Sequence, residues 1–469
     1  MNSAARTASA QDPRKIDPGL RKKYDVRGPR YTSYPPATHF HAVDIRKLLG
    51  RWRERNSLEK DPGLGHYFHI PFCSSRCLFC GCHTFVCTEN EVLESYVDCL
   101  MSEMQTAQES ITPDRPVRQI AVGGGTPNTL SEDQLDRLFS YIHDRWNIAA
   151  DAELSVEINP RTSTARKLDV FLKHGFNRYS LGIQDFSPAV LNAVKRGQGL
   201  MEVEDAVGHI RKKGIENINF DLIYGLPGQS LSSCERSALQ TIRLKPGRIA
   251  LYSYAHVPWI RPHQKKLEEM GFPDQDTKAS MFLLMTDIFL EAGYEYIGMD
   301  HFALPDDPLA VASRNRTLRR NFMGYTTGRG IDIVGFGASA ISSMGSSYSQ
   351  DEKELEEYMK TVSTGVLPVI RGFLLDQDDL IRRELLLDLF CNFHADLDTL
   401  SEEFHIDAVD YLAEDLKKLE PLEKDGLVEL RGNSINVTST GRFFIRNVCM
   451  VFDRYLEADD SKRTYSRTV

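Results

Sequence analysis

The sequence has no run of about 18 or more apolar residues, so it offers no membrane-spanning helix. It has no surplus of positive charge. Lys and Arg number 57 against 66 Asp and Glu, a formal net charge of −9, which argues against bulk affinity for nucleic acid or for an anionic membrane. Residues 1–17 are polar and lack the apolar core of an export signal. The even, dispersed cysteines of a disulfide framework are missing too. There are nine, and they cluster, which fits a reducing cytoplasm.

What is present is ordinary in bulk and unusual in one place. With 469 residues, 41% hydrophobic and 26% charged, the chain is globular and long enough for two or three domains. Five cysteines fall between Tyr67 and Cys87, and three of them are spaced Cys73-x3-Cys77-x2-Cys80. Thiolates this close on one short stretch read as ligands for a soft metal, zinc or iron–sulfur. Structural zinc takes four ligands in two separated pairs, and no second pair of that spacing follows. Three thiolates on a four-iron cluster leave one iron free to take a small molecule.

From Gly65 onward short apolar runs alternate with amphipathic helical patterns. Strands are predicted near Tyr67–Ile70, Gln119–Val122, Leu154–Ile158, Tyr179–Ile183, Ile218–Ile223, Ile249–Tyr254 and Tyr296–Met299. Six or more such units predict a parallel α/β sheet curved into a complete or partial barrel, with chemistry on the loops that follow the strands. The thiol stretch follows the first strand. Gly123-Gly124-Gly125-Thr126 follows the second, Glu157 ends the third, and Gln184 and Asp185 end the fourth, with Arg196 beyond. Asp221 lies on the fifth strand, and Ala255 and His256 follow the sixth. Polar groups at successive strand ends point to one shared pocket.

Three segments complete the chain. Residues 1–56 form an N-terminal segment that begins polar and carries the Pro- and Tyr-rich run Gly28–Pro36; it is expected to cover the mouth of the site or to strap onto the main domain. Residues 57–364 form the barrel. Residues 365–469 lose the β/α rhythm; helices at Asp378–Phe390 and Val409–Leu419, a hairpin over 427–437 and a last helix at Thr440–Leu456 resemble a winged helix. The acidic balance and the lack of a basic stripe favour a structural or lid role for it over DNA binding.

The thiol spacing, with Phe79 just before Cys80, resembles the radical S-adenosylmethionine (SAM) superfamily. The run from His69-Ile70-Pro71-Phe72-Cys73 through Cys80-Gly81-Cys82 resembles one branch of it, the oxygen-independent coproporphyrinogen III oxidases. Gly28-Pro29-Arg30-Tyr31, Asp221-Leu222-Ile223-Tyr224-Gly225-Leu226-Pro227, Tyr254-Ala255-His256, Gly298–Ala303, Arg320-Asn321-Phe322 and Ile445-Arg446-Asn447 extend the resemblance over nearly the whole chain.

The resemblance implies a partial TIM-type barrel of the radical SAM kind with a mostly helical, winged-helix-like C-terminal domain. It implies that Cys73, Cys77 and Cys80 hold one [4Fe–4S] cluster and that Cys82 lies near it without binding iron. One SAM would meet Tyr67, Phe79, Gly124, Glu157 and Ile341. A second would meet Gly125, Thr126, Gln184, Arg196, Asp221 and Ala255. The implied reaction turns two propionates of coproporphyrinogen III into vinyl groups, giving protoporphyrinogen IX in the cytoplasm. The implied electron source is a low-potential carrier such as flavodoxin or ferredoxin, and the enzyme is expected to be a monomer with no nucleic-acid partner. No catalytic side chain is expected beyond the cluster and SAM sites. From charge alone, Arg30 is expected to anchor a propionate. Radical SAM relatives in heme trafficking that lack decarboxylase activity are the alternative. They lack the Gly-Pro-Arg-Tyr segment and differ after the third cysteine, so Arg30 and Cys82 speak against them.

Overall fold

The structure is a computed structural model that describes residues 17–456, 465, 467 and 468; the expectation for the polar start of the chain lies outside them. Twelve strands form one mixed sheet. In chain order they are β1 (Leu64–Ile70), β2 (Val117–Gly124), β3 (Ile148–Ile158), β4 (Arg178–Gln184), β5 (Ile218–Tyr224) and β6 (Arg248–Ser253), then β7 (Glu295–Gly298), β8 (His301–Ala303), β9 (Asp332–Phe336), β10 (Ile341–Met344), β11 (Ser347–Asp351) and β12 (Val369–Leu374). Their spatial order is β12-β11-β10-β9-β1-β2-β3-β4-β5-β6-β8-β7.

The run from β9 through β1 to β6 is parallel throughout. Each strand except β9 hands on to a helix, as the alternating pattern requires. The helix Asn90–Ala107 buries Leu93, Tyr96, Val97, Leu100, Met104 and Ala107, a single stripe at three- and four-residue spacing. The helix Glu132–Arg145 opens on the expected capping box: Ser131 Oγ accepts from Gln134 N–H at 3.2 Å and Gln134 Oε1 accepts from Ser131 N–H at 2.9 Å. With helices over one face and side chains filling the other, β1 is buried along nearly its whole length.

The flanks depart from the sequence reading. The strand predicted at Tyr296–Met299 exists as β7, but it is an antiparallel edge paired to β8. On the other side β10 to β12 are antiparallel, and β12 carries the sheet to Leu374, past the expected break after residue 364. Val409–Leu419 is broken into Ala408–Tyr411 and Ala413–Lys417, and Thr440–Leu456 holds only the 3-10 turn Gly441–Phe444 and the short helix Ile445–Met450. The hairpin Val428–Arg431 with Ser434–Val437 is present and gains a third strand, His394–Asp396.

A second hydrophobic core lies in this C-terminal region, and it takes in the N-terminal segment. Tyr24, Tyr31 and Tyr34 are buried among Leu385, Phe390, Phe444, Val448 and their neighbours. Tyr31 Oη donates to Asp453 at 2.9 Å, Tyr348 Oη donates to Tyr34 O at 3.1 Å, and Asn447 Nδ2 donates to Tyr24 O at 2.9 Å. Arg446 grips the carbonyls of Gly28 and Pro29. A Cβ on Gly28 would fall 2.5 Å from Met450 Sδ, so a larger residue there would have to push the Met450 side chain aside.

Candidate active site

The thiol stretch is a closed loop rather than a tail on β1. Phe72–Cys73 pairs in parallel with Phe85–Val86. Phe85 N–H donates to Pro71 O at 2.7 Å and Cys87 N–H to Cys73 O at 3.1 Å. The turn after β2 closes one side. Thr126 N–H donates to Phe72 O at 2.9 Å, and Thr126 Oγ1 lies 3.3 Å from Cys73 Sγ. Gly124 has φ +108, and a Cβ there would fall 2.5 Å from the His69 ring. The backbone can therefore come close only as glycine.

The far side of the loop is held by its backbone. Arg261 Nε donates to Gly81 O at 2.9 Å, His263 Nε2 lies 2.9 Å from Cys80 O, and Gln264 Nε2 donates to Phe79 O at 3.0 Å. Three neighbouring side chains thus satisfy three successive carbonyls. Gln264 is fully buried, and its Oε1 accepts from Val257 N–H at 2.7 Å. Sequence reasoning passed over this Arg-Pro-His-Gln run. Its signal was a cluster of polar donors just after the sixth strand.

Cys73 is close enough to Cys77 and Cys80 for their charges to push its thiol upward, after burial as the larger cause. Arg196 Nη1 lies 3.8 Å from Cys77 Sγ, while its Nη2 donates to Gly182 O at 2.6 Å. Cys82 sits beside Cys80. Their shared hydrogen bond lowers the Cys80 thiol to about 6 and raises that of Cys82. Among the described residues no three His, Cys, Asp or Glu gather closely enough to hold a single ion. Three half-exposed thiols that sense one another across wider gaps, on a loop pinned from both sides, fit a multi-iron cluster.

Inside the barrel the acidic residues line up from strand to strand. Glu157 Oε2 accepts from Gly124 N–H at 3.2 Å. Its surface opens to the mouth of the barrel while protein surrounds it on the other sides, and that desolvation raises its carboxyl. The same carboxylate acts on Tyr67, on Cys82 and on Asp221. Burial, and then the charge of Glu157, push Asp221 up to about 7 against a 3.0 Å hydrogen bond from Ser180 Oγ. Burial also acts on Asp300, but His301, Arg30 and Arg320 outweigh it and hold Asp300 down to about 2. Gln184 adopts a left-handed backbone (φ +69) at the end of β4, an uncommon conformation for a residue with a side chain.

Beyond Asp300 the interior opens into a cavity of about 860 Å3, inside the usual range of roughly 300–1,000 Å3 for small-molecule pockets. Its walls come from the N-terminal segment (Arg30), the stretch after β6 (Ala255, Trp259), the helix Gln275–Glu291 (Lys278) and the C-terminal region (Arg442). Of the residues expected at the site, the geometry links Cys73, Cys77, Cys80, Thr126, Arg196, Gly124, Glu157, Tyr67 and Asp221 in one neighbourhood and places Ala255 and Arg30 on the cavity. Gly125 and Gln184 close the ends of β2 and β4, and Phe79 packs with Leu78, Val194 and Tyr254 below the loop. Ile341 begins β10, its carbonyl against the backbone of Gly335.

A second cavity, about 550 Å3, lies by Asp332, at the opposite end of the parallel strands. Three of its arginines pair with carboxylates, Arg55 with Asp332 at 2.8 Å, Arg329 with Glu403 at 2.9 Å and Arg319 with Asp388, while Arg320 stacks on Tyr325 and Phe390.

Comparison with known proteins first gives the class. Residues 67–239 match the radical SAM superfamily, and residues 375–444 match the HemN C-terminal domain. The chain is 39% identical to the oxygen-independent coproporphyrinogen III oxidase of Escherichia coli K12, over 97% of this chain and 98% of that one. It is 38% identical to the oxidase of the same description from Synechocystis, over 96% and 97%. The solved structure of E. coli coproporphyrinogen III oxidase (HemN), described as a radical SAM enzyme, superposes with a TM-score of 0.88 at 39% identity, covering 94% of this chain and 99% of that one. The chain belongs to the family of oxygen-independent coproporphyrinogen III oxidases.

Proposed function

We propose that this protein is an oxygen-independent coproporphyrinogen III oxidase that converts two propionate side chains of coproporphyrinogen III to vinyl groups, yielding protoporphyrinogen IX. The observation that carries this reading is the continuity of the site: a pinned three-thiol loop opens through an acidic barrel interior into a cavity lined with cations. Cys73, Cys77 and Cys80 would hold the [4Fe–4S] cluster. When bound, the cluster and SAM supply a 5′-deoxyadenosyl radical able to take a hydrogen atom from the β-carbon of a propionate. Loss of carbon dioxide, and of one electron to an external one-electron acceptor, then leaves the vinyl group.

The chain's own residues position and shield. Glu157, which accepts from Gly124 N–H, suits the ammonium group of a first SAM, whose positive charge would draw its raised carboxyl back to the ionised form. Tyr67, Phe79, Gly124 and Ile341 complete that site. Gly125, Thr126, Gln184, Arg196, Asp221 and Ala255 take the second SAM. Arg30 is exposed into the cavity, has no ion pair there and meets a propionate. The N-terminal segment is both strap and wall, since its tyrosines fill the C-terminal core while Arg21, Lys22 and Arg30 face the cavity. Closing that wall over a bound tetrapyrrole keeps water from the radical. A low-potential carrier such as flavodoxin or ferredoxin delivers the electron, and the protein works as a cytoplasmic monomer. Among the described residues no helix is long and apolar enough to cross a membrane.

The test is an anaerobic assay of the cluster-loaded protein with coproporphyrinogen III, SAM and a strong reductant. Two vinyl groups should form per substrate, with 5′-deoxyadenosine rising in step. SAM cleavage that never yields protoporphyrinogen would overturn the reading in favour of the heme-trafficking alternative.

A further inference from the structure

The large cavity holds more positive charge than it neutralises. Each of its carboxylates is already committed. Asp25 pairs with Arg467 at 2.5 Å, Asp276 lies 3.6 Å from Arg21, and Asp300 binds His301 at 2.6 Å. Asp274 caps its helix, accepting from Thr277 N–H at 2.7 Å. Five cations on the same walls make no salt bridge with a carboxylate among the described residues: Lys22, Arg27 and Arg30 of the N-terminal segment, and Lys278 and Arg442 from elsewhere in the fold.

We propose that Lys278 and Arg442 are carboxylate anchors for the substrate, so that the helix after β6 and the C-terminal domain each hold a propionate alongside Arg30. The inference rests on the reading of the cavity as the tetrapyrrole site. Both side chains are built to reach in. The stem of Lys278 passes over Gly225, where a Cβ would fall 2.7 Å from Lys278 Cε, and its Nζ donates to Tyr254 O at 3.2 Å. A protonated amine has three donors, so two remain for an anion. The Arg442 guanidinium lies 4.5 Å above the Phe393 ring, which orients its plane but satisfies none of its five N–H groups. Lys278 is half-buried and Arg442 opens to the cavity; the protein packed around them lowers both groups from their ordinary values, only partly offset at Lys278 by the charge of Asp25.

A bound carboxylate supplies that counter-charge, and Arg offers it a two-pronged hydrogen bond. Three anchors on three separate elements also hold a flexible macrocycle in one orientation, which a single arginine cannot do. The C-terminal domain then acts as more than a lid. It contributes Arg442 to the substrate directly, while Arg446 on the next turn fixes the Gly28 and Pro29 carbonyls and with them the start of Arg30.

The test compares coproporphyrin III with its tetramethyl ester, which keeps the ring and masks every carboxylate, in anaerobic fluorescence titrations of the cluster-loaded protein. Arg442→Met and Lys278→Met should each weaken coproporphyrin III about tenfold or more, and leave the ester bound as in the unaltered protein. Arg442→Lys and Lys278→Arg keep the charge and should recover most of that loss. In turnover the Met variants should raise KM for coproporphyrinogen III while kcat at saturation changes little. Unchanged affinity for coproporphyrin III in both Met variants overturns the proposal. An equal loss for the ester does so too, because the side chains would then only shape the pocket. Failure of the unaltered protein to bind either porphyrin sinks the reading of the cavity itself.

Discussion

The thiol loop and the cationic cavity belong to one site, yet they are held by opposite means. Around Cys77–Cys82 the polar groups are matched: backbone carbonyls of Phe79, Cys80 and Gly81 meet Gln264, His263 and Arg261, and Leu78 N–H meets Val194 O. Around the cavity the matching stops short, and among the described residues Arg30, Lys278 and Arg442 make no salt bridge with a carboxylate. The difference follows from what each region has to hold. A resident cofactor needs a frame already complete before turnover, because a loose frame would change its position with every cycle. An anionic substrate that must enter and leave is better met by charges that nothing else neutralises. The two regions should therefore answer differently to substitution.

The largest effect is expected at the thiols. Cys73→Ser, Cys77→Ser or Cys80→Ser should each remove the stable cluster and, with it, SAM cleavage, to background. Cys82→Ser should keep four irons, since Cys82 lies beside Cys80 but a fourth protein thiolate would close the open iron. Iron and sulfide content after anaerobic reconstitution decides both. Full iron content with SAM cleavage in any of the three, or cluster loss in Cys82→Ser, would show the ligand set to be wrong.

A smaller effect is expected at Gln264, which sharpens the comparison because it touches both regions. Its amide joins Phe79 of the loop to Val257 of the cavity wall. Gln264→Glu keeps the acceptor for Val257 but points a carboxylate at the Phe79 carbonyl. Outer contacts of this kind to a metal site typically alter affinity or activity by roughly 10–100-fold. We expect a loss in that range, with more 5′-deoxyadenosine released per vinyl group formed and a shifted spectrum of the reduced cluster on adding SAM. If both products fell in the same proportion and the spectrum were unmoved, Gln264 would be a packing residue alone.

The sequence was most informative where a pattern has a single physical solution. The β/α rhythm from Tyr67 to Tyr254 has few foldings, and its strands came out where the apolar runs lie. The thiol spacing and the strand-end acids likewise marked the barrel end of the site. The cavity was less legible: Arg30 stood out beside the tyrosines of its segment, but Lys278 and Arg442 come from distant segments and each looks like a surface charge. The same holds for the N-terminal segment. Its tyrosines were visible, but that they fill the C-terminal core depends on Gly28 meeting Met450 and Arg446 reaching two carbonyls. Deleting the segment would therefore open that core, and substitution of Arg30 is the cleaner probe. The edge strands β7 and β10 to β12 follow tertiary pairing rather than local preference, which is why the barrel boundary fell too early.

The smallest effect concerns a pair that the chemistry does not use. Glu103 and Asp351 are both buried beneath the turn that follows β9. Glu103 Oε2 accepts from Gly337 N–H at 2.9 Å and from Tyr358 Oη at 2.5 Å. Burial raises Glu103 to about 7, and burial together with Glu103 raises Asp351 as well. Below about pH 4.5 Glu103 is protonated in both the folded and the unfolded chain. Between there and about 7 the folded chain keeps a proton that the unfolded chain gives up, so stability falls as pH rises through that window. Glu103→Gln is neutral throughout and still accepts from Gly337 and Tyr358. It should flatten the decline in the thermal unfolding midpoint between pH 5 and 7, an effect on the order of 2–3 kcal/mol at neutral pH. Asp351 remains buried and raised, so part of the slope should persist. A variant whose midpoint keeps the full slope of the unaltered protein would mean that Glu103 does not hold the proton and is ionised in the folded chain as in the unfolded one.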